Sequence, residues 1–329
     1  MITSVGYLSM HTSPLLQPGR GYAGGMNVYI NELAQTMARR GIEVVVFTRR
    51  TDPAVPTVVS PRPGYRVVHV TAGPQAELPI AEMPGLVAEF TTGVLAWISA
   101  NEARFDLIHS HYWLSGWSGV LVKEALGIPL ANSFHTLGRV KDLTRRFDEA
   151  PSTPMRTLTE EEVIARSDCV IASTPYEFED LLEHYGAIPE RLCTSPPGLD
   201  HRTFHPADRA EARRWLGLGP EPIVLFAGRI QPLKGVDIAV AAVAQLSDGD
   251  GTGAPQLLIV GGPSGPDGEG ELLQVQRAAA DLGIADRVHC PAPQPHLQLA
   301  VFFQASDVLI MPSRSESFGL VAAEAQACG

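Results

Sequence analysis

Two glutamates eight residues apart, Glu316 and Glu324, bracket the stretch of this sequence best suited to chemistry. They follow an apolar run at 307–311 and the breakers Pro312 and Ser313. Such a run reads as a buried strand, and Leu320, Val321 and Ala325 recur at helical spacing after Gly319, so the stretch predicts strand, tight loop and helix. Glu316 then lies in the loop, within reach of a ligand, and Glu324 about two turns along the helix. The first N–H groups of a helix lack internal partners and carry partial positive charge, so the amides of Ser317, Phe318, Gly319 and Leu320 offer an anion site. Carboxylates for hydroxyls beside amides for phosphate suit a nucleotide sugar. Taken alone, two glutamates at this spacing are more often solvated surface charges. A second feature points the same way: Gly228, Arg229, Lys234 and Gly235 join a strand at 223–226 to a helix from about 236. Cations near a helix start oppose its dipole, and a bound anion accounts for them better than an idle surface does.

The elements that must position these residues alternate along the chain. Strands are expected at 4–9, 43–48, 65–70, 106–109, 128–131 and 168–173. Helices are expected after Gly25 (with Ile30, Leu33, Ala34 and Met37 on one face, ending at Gly41), at 86–103, from Arg156 to Arg166 and at 175–185. A second series has strands at 223–226, 256–260 and 307–311, with helices at about 236–246 and 272–282. Alternation of this kind predicts doubly wound, mostly parallel α/β sheets, in which ligands bind beyond the carboxyl ends of the strands. His109, His111, Tyr112 and Trp113 are expected at one such end as a polar substrate lining, and Asn132, His135 and Thr136 at the next. Two histidines one residue apart lack an obvious third metal ligand. Gly24 and Gly25 lie in a strand-to-helix loop, where they serve either as a turn or as a phosphate cradle. Gly261, Gly262 and Gly265 follow a strand and are expected to shape a donor pocket. Between the two series, 195–206 is dense in proline and glycine with Phe204 as an anchor, which suits an interdomain linker.

With 329 residues, 45% hydrophobic and 19% charged, the chain is long enough for two domains. The formal charge of −11 argues against nucleic acid as a partner. No membrane-spanning run and no basic signal-peptide flank are read in it, so the expected location is cytoplasmic. The four cysteines, Cys169, Cys193, Cys290 and Cys328, show no paired spacing and are expected to be reduced and mostly buried.

The 316–324 stretch resembles the E-x-x-x-x-x-x-x-E signature of family-four retaining glycosyltransferases of the GT-B fold. Arg229 and Lys234 resemble that family's G-R-x-x-x-x-K-G diphosphate clamp, and Pro196 to Pro206 its P-x-G-x-D-x-x-x-F-x-P hinge. His11 with Pro14, Gly24 to Tyr29, Thr71 to Pro74, His109 to Gly116 and His135 to Leu137 resemble the inositol-phosphate glycosyltransferases of mycothiol biosynthesis, along essentially the whole chain. The resemblance implies two facing Rossmann-like domains, 1–197 for the acceptor and 198–329 for the nucleotide sugar. It also implies transfer of N-acetylglucosamine from UDP-GlcNAc to 1D-myo-inositol 3-phosphate. Donor contacts would come from His11, Gly25, Arg229, Lys234, Glu316, Ser317, Phe318, Gly319, Leu320 and Glu324. Acceptor contacts would come from Asn27, Tyr112, Thr136 and Arg156, with His135 orienting the sugar and Glu316 gripping its hydroxyls at the reacting centre. From spacing alone Arg156 and Glu160 form an i,i+4 surface pair worth a few tenths of a kcal/mol. Neither a cofactor nor an essential metal is expected, and a homodimer is allowed.

Three positions depart from the pattern. Ile80 stands where the family has a lysine for the acceptor phosphate, Tyr22 replaces an acidic residue, and Gln294 an arginine near the base. Arg139, close after His135, is expected to share the phosphate with Arg156, since an arginine can reach from a neighbouring loop. The alternatives are transfer from a UDP-sugar to another cyclitol, aminocyclitol or sugar and, in a different class, an inactive truncated sugar-nucleotide-binding protein. The last follows from the end at Gly329, where family members continue, so the second domain is expected to be incomplete.

Overall fold

The computed structural model describes residues 2–19, 21–145, 149–246, 253–263 and 268–329. By its contacts the chain divides into two units, residues 1–16 with 26–196 and residues 17–25 with 197–329.

The first unit carries β1 (Ser4–Leu8), α1 (Gly25–Arg39), β2 (Glu43–Arg49), β3 (Val58–Arg62), β4 (Tyr65–Val70), α2 (Val87–Ala100), β5 (Leu107–His111) and α3 (Trp113–Leu126), then β6 (Leu130–Ser133), α4 (Gly138–Leu143), α5 (Pro154–Arg166), β7 (Cys169–Ala172), α6 (Pro175–Tyr185) and β8 (Leu192–Thr194). Its sheet runs β3-β4-β2-β1-β5-β6-β7-β8. All pairs are parallel except β3 with β4. The alternate residues of β2 enter different cores, Val45 and Phe47 on one face and Val44 and Val46 on the other. Both faces are therefore covered, which is why the central strands read as continuous apolar runs.

Local sequence sets the helix starts. Thr153 accepts from the Arg156 amide with Pro154 behind it, and Thr174 accepts from the Glu177 amide ahead of α6, whose end is a left-handed Gly186. A 3₁₀ turn at Ile80–Leu86 runs into α2, and this 80–100 stretch is the one segment among the described residues long and apolar enough, by length and composition, to cross a membrane. The sequence reading found no such run. Its residues Val87, Phe90, Val94 and Ile98 are buried in the core of the first unit.

The second unit holds α7 (Arg209–Leu216), β9 (Ile223–Ala227), α8 (Val236–Ala244), β10 (Gln256–Val260), α9 (Gly268–Asp281), β11 (Val288–His289), α10 (His296–Ala305), β12 (Val308–Leu309) and α11 (Leu320–Cys328). Its parallel sheet runs β11-β10-β9-β12, again between two cores. Residues 307–311 do not form the buried strand expected. β12 pairs with β9 alone among the described strands and leaves Val308 57% exposed. The loop 17–25, expected in the first domain, makes its contacts with the second unit: Gln17 Nε2 donates to the Pro293 carbonyl at 3.0 Å, and a Cβ on Gly262 would collide with the Gly19 carbonyl. Of the cysteines only Cys328 is buried. Cys193 and Cys290 are exposed and Cys169 is half-buried, because β8 and β11 are the edges of their sheets.

Candidate active site

In the second unit the loops after β9 and β12 leave the carboxyl ends of adjacent strands, so Arg229 to Lys234 and Ser313 to Gly319 lie side by side. They are fastened together. Arg314 donates to both carboxylate oxygens of Asp237 at 3.1 and 2.7 Å, and its amide donates to the Leu233 carbonyl at 2.8 Å. Gly235, left-handed at φ +69°, passes so close to the Pro312 carbonyl that a side chain would collide with it. Lys234 Nζ meets Glu316 Oε2 at 2.5 Å, and Ser313 Oγ donates to the same oxygen at 3.3 Å. Gly319, at φ +86°, turns the chain into α11, so the amides from Ser317 to Leu320 lie at its start. Glu324 is buried one to two turns on, and its Oε1 lies 2.7 Å from His296 Nε2. Sequence reasoning missed His296. It opens α10, a helix with no clear apolar stripe in its sequence.

The glycine pair sits beside the clamp. A Cβ on Gly24 would lie 3.2 Å from Arg229 Nε, and one on Gly25 3.5 Å from Leu320 Cδ1. Gly24 therefore leaves room for a guanidinium. Ser264 and Gly265 of the expected pocket-shaping segment lie outside the described residues, and Gly261 packs against the Gly228 carbonyl.

In the first unit the acceptor candidates gather past the ends of β5 and β6. Arg156 donates from Nε to Glu160 at 2.8 Å and from Nη2 to the Thr136 carbonyl and hydroxyl at 3.0 and 3.2 Å, and its guanidinium lies 5.3 Å over the Tyr112 ring. Among the described residues Nη1 has no hydrogen-bond partner. Glu160 is no surface partner. It is fully buried and accepts from the Gly138 amide and the Tyr185 hydroxyl as well as from Arg156. Removing one member of such a buried pair leaves an uncompensated charge, at about 3–5 kcal/mol. Asn27 Nδ2 donates to Thr12 Oγ1 and the Ser13 carbonyl at 2.7 and 2.6 Å, fixing the start of α1 to the loop that carries His11. The His11 ring lies 4.5 Å from that of Tyr112.

Arg139 is not brought into this group. From the first turn of α4 its guanidinium points to the end of α6 and to α5, bonding the His184 carbonyl and Glu161 over the Tyr185 ring. Ile80 packs against the core of the first unit.

The two histidines expected as substrate lining are instead strand residues. β5 runs two residues further than predicted, and His109 and His111 are buried within it. His111 Nδ1 lies 3.0 Å from His135 Nε2, His109 Nε2 lies 2.9 Å from Ser133 Oγ, and the rings of Tyr7 and Tyr29 pack edge-on around them. Burial lowers all three imidazoles, His109 to about 4 and His135 to about 3, with His111 well below its ordinary value. At neutral pH all three are uncharged, and His111, backed by His109, holds His135 from behind. Tyr112 and His135, just past the ends of these strands, both have positive φ, +78° and +62°. Strain of this kind in non-glycine residues collects at functional sites. No sequence signal announces it.

The chain matches the family described as glycosyl transferase 4-like domain over residues 24–198 and that described as glycosyl transferases group 1 over 208–329. It is 48% identical to the D-inositol 3-phosphate glycosyltransferase of Actinosynnema mirum, covering 99% of this chain and 79% of the relative. It is 47% identical to D-inositol 3-phosphate glycosyltransferase 2 of Catenulispora acidiphila, covering 99% and 77%. Among solved structures, sucrose-phosphate synthase from Thermosynechococcus elongatus superposes with a TM-score of 0.91 at 33% identity, over 99% of this chain and 79% of that one. Anabaena HepE in complex with UDP and glucose, 18% identical, shares the fold with a TM-score of 0.73 over 99% of this chain and 78% of its own. The chain therefore belongs to the GT-B glycosyltransferases, with a 4-like domain followed by a group 1 domain.

Proposed function

We propose that this chain transfers N-acetylglucosamine from UDP-GlcNAc to 1D-myo-inositol 3-phosphate, with retention at the anomeric carbon. The observation that carries the reading is the fixed guanidinium of Arg156, with Nη1 to spare, in a chain 45–48% identical to proteins named for D-inositol 3-phosphate. Transfer requires the leaving diphosphate's charge to be met and the acceptor hydroxyl to be held near the anomeric carbon. Arg229, Lys234 and the amides of 317–320 meet the first need. Arg156, Thr136 and Tyr112 meet the second, because a phosphate bound by a guanidinium that cannot swing is a phosphate with one orientation. Glu316 takes donor hydroxyls, Glu324 the ribose, and His135, kept neutral by burial, orients the sugar by hydrogen bonding rather than by charge. The departing phosphate accepts the acceptor's proton. A cytoplasmic location and independence of divalent metal belong to the same proposal.

A second reading, transfer to an unphosphorylated cyclitol or another sugar, is favoured by two observations: Ile80 faces the core where a lysine is expected, and Arg139 is bound elsewhere. The test compares kcat/KM for inositol 3-phosphate and for inositol, with and without a chelator. A preference of about ten- to a hundredfold for the phosphorylated acceptor, the worth of one charge-assisted bond, is expected. It should vanish in Arg156→Ala, rise in Ile80→Lys and survive the chelator. Equal use of both acceptors gives the second reading.

A further inference from the structure

Cys169 and Cys193 are 24 residues apart and carry no motif, yet their sulfurs lie 2.7 Å from each other, close enough to share a thiol proton. The strand register explains the meeting. Val170 pairs with Leu192 and Ile171 with Cys193 across β7 and β8, so Cys169 lies one diagonal step from Cys193. Neighbours at that step on a parallel pair point to the same face. That face is open: Ile171 and Cys169 are half-buried and Cys193 is exposed, whereas Val170 and Ala172 on the other face are buried. β8 is a three-residue edge strand paired only with β7 among the described strands, and after it the chain passes into the second unit.

We propose that Cys169 and Cys193 form a reversible dithiol–disulfide couple, a site of two-electron oxidation by hydroperoxides that ties the edge strand β8 to the sheet. The exposed Cys193, as thiolate, attacks the terminal peroxide oxygen, breaking the O–O bond and leaving a sulfenic acid and an alkoxide (hydroxide when the oxidant is hydrogen peroxide), which is protonated to the alcohol (or to water). The Cys169 sulfur then attacks the Cys193 sulfur, forms the S–S bond, gives up its proton and expels the second oxygen as water. Two thiols and one hydroperoxide thus yield one disulfide, one water and one alcohol (a second water when the oxidant is hydrogen peroxide). Burial and then its neighbour push the Cys169 thiol up to about 12, which gives the first attack to Cys193. The closed loop removes chain entropy from the unfolded state.

The test uses the whole chain, reduced with dithiothreitol, freed of reductant and treated with stoichiometric hydrogen peroxide. Free thiols are then counted in denaturant. The expected result is a fall from four to two, with tryptic peptides separated by cleavage at Arg191 found joined through Cys169 and Cys193. Dithiothreitol should reverse the change, and the oxidised chain should melt at higher temperature. In Cys169→Ser, Cys193 should instead accumulate as a sulfenic acid captured by dimedone. Four thiols remaining, a link to Cys290 or Cys328, or as much dimedone adduct in the unsubstituted chain as in Cys169→Ser would overturn the proposal.

Discussion

Lys234 and Glu316 hold each other at 2.5 Å, so a diphosphate that takes the lysine must take it from the glutamate. The two substitutions therefore act on binding with opposite signs. Lys234→Ala removes a charge-assisted bond and should weaken UDP binding by about 1.5–3 kcal/mol. Glu316→Gln frees the lysine from a partly exposed pair, which should tighten UDP binding by up to about 1 kcal/mol, while turnover falls because the sugar loses its carboxylate. Calorimetry with both variants decides. Unchanged affinity in Lys234→Ala would remove the lysine from the diphosphate site. The types and spacings of Arg229, Lys234 and Glu316 were legible because they crowd into two loops with strong breakers at each end, and Glu324 because it stands on the helix that follows the second loop. Glu160 was not. Its partners Gly138 and Tyr185 come from other elements, and spacing reveals only Arg156, the partner on its own helix. For Arg139 nearness in sequence misled, because the first turn of α4 aims it at α6.

At the scale of elements, the ends of β5 and β6 carry a pH dependence. In the unfolded chain the buried histidines return to about 6.5, while in the fold they stay near 4 for His109 and 3 for His135. Below pH 6.5 the unfolded chain binds protons that the fold refuses. The stability that these neutral imidazoles contribute is therefore complete above 6.5 and is lost as the pH falls toward 4, at about 1.4 kcal/mol per pH unit for each proton. Urea unfolding followed at pH 7, 6 and 5 should show the midpoint dropping. A midpoint that holds or rises would mean that these rings are hydrated in the fold. Long central strands such as β2, β4 and β10 were readable as apolar runs. The edge strands β8 and β11 are too short to show a period, β3 is interrupted by Ser60 and Pro61, α7 is mostly charged, and α10 is apolar around much of its circumference, so no stripe marks it. The sequence reading ended β5 early because histidines look polar. Between β1 and β6 the strand continues through them.

At the scale of the molecule, each unit has its own pair of cores, and the first residues after the boundary belong to the second. Phe204 is 1% exposed, with ring centroids 5.0 Å from His296 and 6.1 Å from Phe303. Phe204→Ala should cost the second unit about 3–5 kcal/mol and leave the first unit's own transition in place. Calorimetry should show one transition lowered and one unmoved. Equal shifts in both would mean that the two units unfold as one. The sequence reading placed the loop 17–25 in the first domain, because which unit a loop packs against is set by close backbone approaches, such as that of Gly19 to Gly262, that no spacing reveals.

The Lys234–Glu316 pair has a further consequence, in discrimination. A cell is crowded with anions, and a bare lysine beside a helix start would be held by whichever phosphate is most abundant. Glu316 acts as a tethered competitor, and a visitor that brings only phosphate must break the pair while offering the carboxylate nothing. On the proposed reading a nucleotide sugar brings a diphosphate for one partner and hydroxyls for the other, so the exchange is balanced for it alone. Selectivity of this kind lies in what the ligand gives back, and if the pair works this way, calorimetry should show inorganic pyrophosphate binding more tightly to Glu316→Gln than to the unsubstituted chain.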